Sequence, residues 1–183
     1  TMNACTLFAW WGFNLWLPGL LSMPAASGGI DLTATVMSWF VIVMQIGMWF
    51  SYITFGYISD AIGRKRAYVA YLVAAAILIA VYTSLRMPFA LLLLGPFVAF
   101  FATGYFSGFG AVTAEIYPTD IRATAQGFTY NLGRIASAAA PFTVGTLAQT
   151  RGFDVALSTT SVAFVAAALL WFWIPETRGR RLA

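Results

Sequence analysis

The stretch GYISDAIGRKR, residues 56–66, separates two apolar runs, residues 36–59 and 67–85. A tight turn between antiparallel helices needs small residues, and Gly63 can take a positive φ. Asp60, at the end of the first run, can pair with a basic side chain or cap a neighbouring helix N-terminus. Arg64, Lys65 and Arg66 follow at once. On residue types alone this is equally an ordinary positively charged hairpin at a membrane face. The segments around it decide between these readings.

The chain has 183 residues, of which 61% are hydrophobic and 9% charged. A soluble domain carries about 25% charged residues. With a mean hydropathy of +0.81, one core could not hide this much apolar surface from water, so the expected solvent is lipid. The net charge of +4 is not gathered into basic runs interleaved with aromatics, and nucleic acid is not an expected partner. Cys5 is the single cysteine, so no disulfide can form within the chain. There is no histidine, no metal-ligand cluster and no nucleophile with a base beside it. No enzyme, metal or cofactor is expected. Thr1 lies inside an apolar run with no basic n-region, which reads as the interior of a longer protein rather than a signal peptide.

Six segments reach the ~20 residues that a helix needs to cross a bilayer core. They are residues 2–21, 36–59, 67–85, 89–115, 122–149 and 155–174. The expected fold is an all-α membrane protein, a single six-helix transmembrane bundle. One set of connections receives Arg64, Lys65, Arg66, Arg122, Arg178, Arg180 and Arg181; the other receives only Arg86 and Arg151. That bias puts the first set and the C-terminus in the cytoplasm; the expected location is a bacterial inner membrane. Trp171 and Trp173 fall at the cytoplasmic end of the last segment, where an interfacial aromatic belt is expected. Gly104 and Gly108 form a small-xxx-small pair that reads as close helix packing. Pro18, Pro96 and Pro141 favour bends.

The hairpin pattern G-x-x-x-D-x-x-G-R-K-R, at Gly56, Asp60, Gly63, Arg64, Lys65 and Arg66, resembles the signature hairpin of the major facilitator superfamily. EIYPTDIR, residues 115–122, resembles the E-x6-R motif of its sugar-porter-like branch, with Glu115 and Arg122 in place. PETRGR, residues 175–180, resembles that branch's C-terminal P-E-T-K-G-R, with Arg178 where lysine is usual. The resemblance covers nearly the whole chain and maps it to the C-terminal six-helix half of a twelve-helix transporter. It implies a charge network of Asp60, Arg64, Glu115, Arg122 and Glu176 that holds one access state and loosens in the other. It also implies that Asp60 meets a helix end in an N-terminal half. A second copy of the chain is the alternative partner.

Two departures put a sugar substrate in doubt. The first segment offers Asn14 where sugar porters carry paired glutamines in their seventh span, and residues 88–110 lack their tryptophan. EIYPTDIRATAQGF, residues 115–128, looks most like the organic-acid members, which suggests proton symport.

Arg134 is the tenth basic residue and belongs to neither side. On a helix over 122–149, Gln126, Gly127, Tyr130, Asn131, Arg134, Ser137, Ala138 and Pro141 share one arc, with Phe128, Leu132, Ile135 and Ala139 opposite. Twelve residues beyond Arg122 it lies about 18 Å deep, near the middle of a core about 30 Å thick. A charge there costs about 2.5–3.5 kcal/mol on insertion scales, and arginine keeps its proton. All six acids lie at or beyond the segment ends. The partner is then a bound anion or a carboxylate in the other half. Gln45, with Trp49 and Tyr52 at i+4 and i+7, and Asn14, with Trp11 at i−3, are further candidates for a midplane site; interhelical hydrogen bonding is an equal reading for both.

The expected function is secondary transport of a small organic anion, a carboxylate such as a sugar acid or an aromatic acid, by alternating access. The proton is the coupling ion, and its acid is expected in the other half. The alternatives are a carrier of a neutral polyol, sugar or drug, with Arg134 structural, and a non-transporting membrane partner bundle.

Overall fold

The computed structural model describes residues 2–178, and these are all helix and connection. The helices are α1 (Met2–Ser22), α2 (Ala34–Ile62), α3 (Arg64–Ser84), α4 (Pro88–Thr103), α5 (Tyr105–Ile116), α6 (Arg122–Ser137), α7 (Ala140–Arg151) and α8 (Phe153–Leu170), with 3-10 turns at Ala25–Ser27 and Trp171–Trp173. Four stretches are long and apolar enough to cross a membrane: Ala34–Ile62, Arg64–Ser84, Pro88–Ile116 and Phe153–Trp173. Met2–Ser22 falls outside that set, as Asn3 and Asn14 lower its hydropathy. So does Arg122–Arg151, which is polar and broken.

The core lies where α3 and α8 pack on each other and on α1 and α4. Tyr68, Tyr82, Phe13, Phe164 and Trp171 are fully buried there. Phe13 meets Tyr82 edge-on at 5.8 Å, and Trp171 lies 4.4 Å from Tyr68. Trp171 is therefore core, not interfacial belt; the last 3-10 turn points it back onto α3. Trp173 is 78% exposed, as a belt residue should be.

α2 buries only a narrow stripe, Phe40, Met44, Gly47, Ser51, Phe55 and Ser59, at i+3/i+4 spacing against α4 and α5. Gly47 sits at the closest approach: a Cβ there would come within 2.2 Å of the Pro96 carbonyl oxygen. Gly104 and Gly108 read correctly as packing glycines. Added Cβ atoms would meet Ser51 Oγ at 2.1 Å and Phe55 Cε1 at 2.5 Å.

Two of the expected segments are not continuous helices. The first is interrupted at Gly104. There the Ser51 hydroxyl donates to the Phe100 carbonyl, which the Gly104 N–H also reaches at 3.3 Å. The two donors share one acceptor, so this rung of the ladder is kept but long. The second is interrupted at Ala138–Ala139, two residues before Pro141. Proline cannot donate to the carbonyl four residues back, and its ring crowds it. The Ala138 N–H keeps its helical bond to Arg134 O at 3.1 Å and also reaches Ile135 O at 3.2 Å, tightening the last turn of α6.

α1 lies beside both halves of this broken stretch. The Asn3 amide donates to Thr129 O at 3.4 Å, and the Trp16 indole donates to Pro141 O at 2.9 Å. A Cβ on Gly133 would come within 2.4 Å of Asn3 Nδ2, so that glycine permits the approach. At the end of the fold away from the charged hairpin, Arg86 pairs with Asp154, tying the α3–α4 connection to the start of α8.

Candidate functional site

The charged hairpin gathers into one cluster. Gly63, at φ 101°, makes the turn between α2 and α3. Arg64 pairs with Asp60 at 2.5 Å and with Glu115 at 3.2 Å, and donates to the Ser59 hydroxyl at 2.7 Å. Glu115 in turn accepts from the buried Thr177 hydroxyl. Arg122 donates to Tyr117 O at 3.3 Å. Lys65 donates to Phe172 O at 3.1 Å. A Cβ on Gly56 would meet nothing within 4 Å, so this chain alone gives no packing reason for that glycine.

Glu176 does what Asp60 was a candidate to do: it caps a helix N-terminus. Its carboxylate accepts the backbone N–H groups of Arg64 (2.9 Å) and Lys65 (3.2 Å), at the start of α3, and of Thr177 and Arg178, both at 3.1 Å. Partial burial works against ionisation, but the four donors together hold this carboxyl below its ordinary value. A depressed acid stabilises the fold fully above its unfolded value, and that contribution is lost as pH falls through the folded one. Thermal stability of the purified protein is therefore expected to fall below about pH 4.3, the ordinary glutamate value. Glu176→Gln is expected to cost about 1 kcal/mol, as loss of a cap does, and to remove that pH step. The remaining residues of the C-terminal motif, Gly179 and Arg180, and also Arg181, lie outside the described residues.

The Arg134 face is built by α6. Its buried seam is Gly133 and Ser137, facing α1. Gly127, Tyr130, Asn131, Arg134 and Ala138 lie exposed on one side of that seam, and Phe128, Leu132, Ile135 and Ala139 lie exposed on the other. Polar and apolar faces are thus separated as the sequence suggests, except at three residues; one of them, Pro141, lies beyond α6, half-buried at the start of α7, with its carbonyl accepting from Trp16. Gln126 is half-buried and donates to Gly110 O on α5 at 2.9 Å, because a helix neighbour takes its amide. Ser137 is buried and donates to Arg134 O at 2.8 Å. Both belong to the seam, not to the open face.

Arg134 stands in the last turn of α6, beside the break. Among the described residues it forms no ion pair, and its one close partner is the Tyr130 ring, 5.9 Å from the guanidinium carbon. A helix C-terminus supports a cation by about 0.3–1 kcal/mol, and an exposed cation–π contact by about 0.5–1 kcal/mol. At the depth expected from the sequence a charge costs about 2.5–3.5 kcal/mol, more than these two supply together. Tyr130 also leans on Phe109 of α5 at 6.1 Å. Asn131 donates one amide hydrogen to Gly127 O at 2.8 Å, which leaves its second amide hydrogen and its carbonyl oxygen for a ligand.

Asn14 is half-buried beside the exposed Trp11, and Gln45 is exposed with Trp49 in a shallow depression also lined by Ile42, Ile46 and Phe50. Neither has a hydrogen-bond partner among the described residues, and no contact joins either to Arg134. Tyr52, seven residues after Gln45, lies on the same side of α2 and is exposed. A separate cavity of about 420 Å³ opens between the start of α1, α5 and the apolar side of α6. It is lined by Leu132, not by Arg134, and does not belong to the polar face.

Several membrane-length apolar helices packed around an aromatic core are the architecture of an integral, multi-pass membrane protein. The profile of the Major Facilitator Superfamily matches residues 1–183, and the chain belongs to that family. A relative from Haemophilus influenzae, named for metabolite transport, is 36% identical over 178 residues, covering 96% of this chain and 42% of the relative. One from Cupriavidus pinatubonensis, named for 4-methylmuconolactone transport, is 32% identical over 90% of this chain and 38% of its own length. Others are named for cis,cis-muconate transport in Acinetobacter baylyi and gentisate transport in Corynebacterium glutamicum. The chain thus spans about two fifths of the length of these first two relatives. A solved POT peptide transporter in complex with sulfate shares the fold, with a TM-score of 0.78 at 18% identity, over 93% of this chain and 35% of that one.

Proposed function

We propose that this chain is the C-terminal six-helix half of a twelve-helix transporter that carries a small organic carboxylate by alternating access, coupled to protons. The observation that carries the reading is Arg134: a permanent cation on the open polar face of α6, with no ion pair among the described residues. A guanidinium presents a fork that matches a carboxylate bidentately. Tyr130 and the Asn131 carbonyl beside it suit an aromatic or hydroxylated acid, and the relatives named for muconate and gentisate transport point the same way. Asn14 and Gln45 complete the binding face from α1 and α2.

In this reading the side with Arg64, Lys65, Arg66, Arg122 and the C-terminus faces the cytoplasm of a bacterial cell. The Asp60–Arg64–Glu115–Thr177 cluster and the Glu176 cap form the latch that is closed in one access state. The coupling acid lies in the N-terminal half, since all six acids here are at or beyond the helix ends.

The test is uptake, in cells carrying the whole transporter, of muconate- and gentisate-type acids beside their methyl esters. The acids are expected to compete with one another and the esters not to compete at all. Equal competition by the esters would remove the anion from the reading. Arg134 also has the last turn of α6 and the Tyr130 ring beside it, which favours a second reading, a structural arginine in a carrier of neutral solutes.

A further inference from the structure

A cavity of about 700 Å³ runs along the outer face of α3, lined by Lys65, Arg66, Val69, Ala70, Val73, Ala74, Ile77 and Phe172. Its chemistry changes along its length. Two cations stand at the hairpin end, and below them every lining residue but the aromatic Phe172 is aliphatic. Arg66, Ala70, Val73 and Ile77 follow one another at i+4, i+7 and i+11, so they form one stripe of the helix. Arg66, Ala70, Val73 and Ile77 are all exposed, and Ala70 and Ala74 hollow the stripe by their small size. From Arg66 to Ile77 the rise is about 16 Å. That is about half of a bilayer core of about 30 Å, or one leaflet.

Among the described residues no ion pair neutralises the positive charge at the mouth. Glu176 is the acid nearby, and its oxygens already accept four backbone N–H groups. Lys65, Arg66 and Arg178 form no ion pair among the described residues, and all three line the adjoining surface hollow. Lys65 is held in place by the Phe172 carbonyl and lies 5.7 Å from the centre of that ring.

We propose that this groove binds one anionic phospholipid of the leaflet at the hairpin end, its phosphate on Lys65 and Arg66 and one acyl chain along Ala70, Val73 and Ile77. Charge complementarity selects the headgroup, since basic residues at the membrane surface attract anionic lipid. The aliphatic stripe below selects a lipid over a free anion, because a free phosphate gains nothing from it. The proposal rests on α3 crossing the membrane and is independent of what Arg134 binds.

The test is native mass spectrometry of the protein that carries this chain, purified with phosphatidylglycerol and phosphatidylcholine of matched acyl chains. Phosphatidylglycerol is expected to be retained preferentially, and Arg66→Gln to lower that preference about fivefold, the share of one basic residue near a membrane surface. Ala70→Phe keeps both charges but fills the groove, and is expected to lower retention as much. Arg151→Gln, at the other end of the fold, serves as the control and should leave it unchanged. Equal retention of the two lipids by the unaltered protein overturns the proposal. So does an Ala70→Phe variant that retains phosphatidylglycerol fully, or inorganic phosphate that strips the lipid at millimolar concentration; both would mean an anion site without a lipid.

Discussion

Arg134→Ala is expected to lower carboxylate uptake about 30-fold or more, with membrane abundance unchanged. Truncating one partner of a buried, hydrogen-bonded charge pair costs about 2–5 kcal/mol, and each 1.4 kcal/mol is about tenfold. Arg134→Lys keeps the charge but loses the planar fork, so it should fall between the two. The measurement is initial uptake rate per folded molecule. The structural reading of Arg134 predicts the reverse pattern: less folded protein, with unchanged uptake by each molecule that remains. If both variants carry a carboxylate at the normal rate, Arg134 is not the anion site.

The largest effect on stability is expected at Gly47. An added Cβ would meet the oxygen, carbon and Cα of Pro96 at 2.2, 2.7 and 2.7 Å. These are backbone atoms of α4, and no side chain can turn aside to make room. Gly47→Ala must push α2 and α4 apart and is expected to cost about 1–3 kcal/mol, as overpacking does. Gly47→Leu should leave little folded protein. Gly110→Ala is the matched control, since its Cβ meets nothing within 4 Å; surface changes of that kind stay within about 0.5 kcal/mol. Thermal unfolding in detergent checks both, and a wild-type midpoint for Gly47→Ala would contradict the contact.

Helix content and the charged hairpin were legible from the chain because local patterns carry them. Apolar runs of membrane length, Gly63 at a turn and the i,i+4 spacing of Asp60 and Arg64 need no tertiary knowledge. What was not legible depends on neighbours. At the Gly104 interruption the Phe100 carbonyl is shared with Ser51, a residue 53 positions before Gly104, whose hydroxyl has no reason in its own sequence to reach it. The break before Pro141 was signalled by the proline, but only as a bend. Gln126 and Ser137 fit the polar arc by angle, yet a helical wheel does not say which neighbour claims a side chain. Glu176 was singled out by motif, but its partners, the first N–H groups of α3, are visible only when α3 and the end of the chain meet. Trp171 and Trp173 are two residues apart at a membrane-length helix end, and only packing separates the core ring from the exposed one.

The two bonds that α1 makes to the broken stretch fall on opposite sides of the gap. Asn3 holds the Thr129 carbonyl before it, and Trp16 holds the Pro141 carbonyl after it. Their anchors are thirteen residues apart on one helix, about 20 Å of rigid rod. α1 therefore acts as a splint across the interruption: flexing there would stretch one bond or the other. The interruption next to Arg134 is thus bridged from outside its own helix, and the placement of Arg134 depends on α1 as well as on α6.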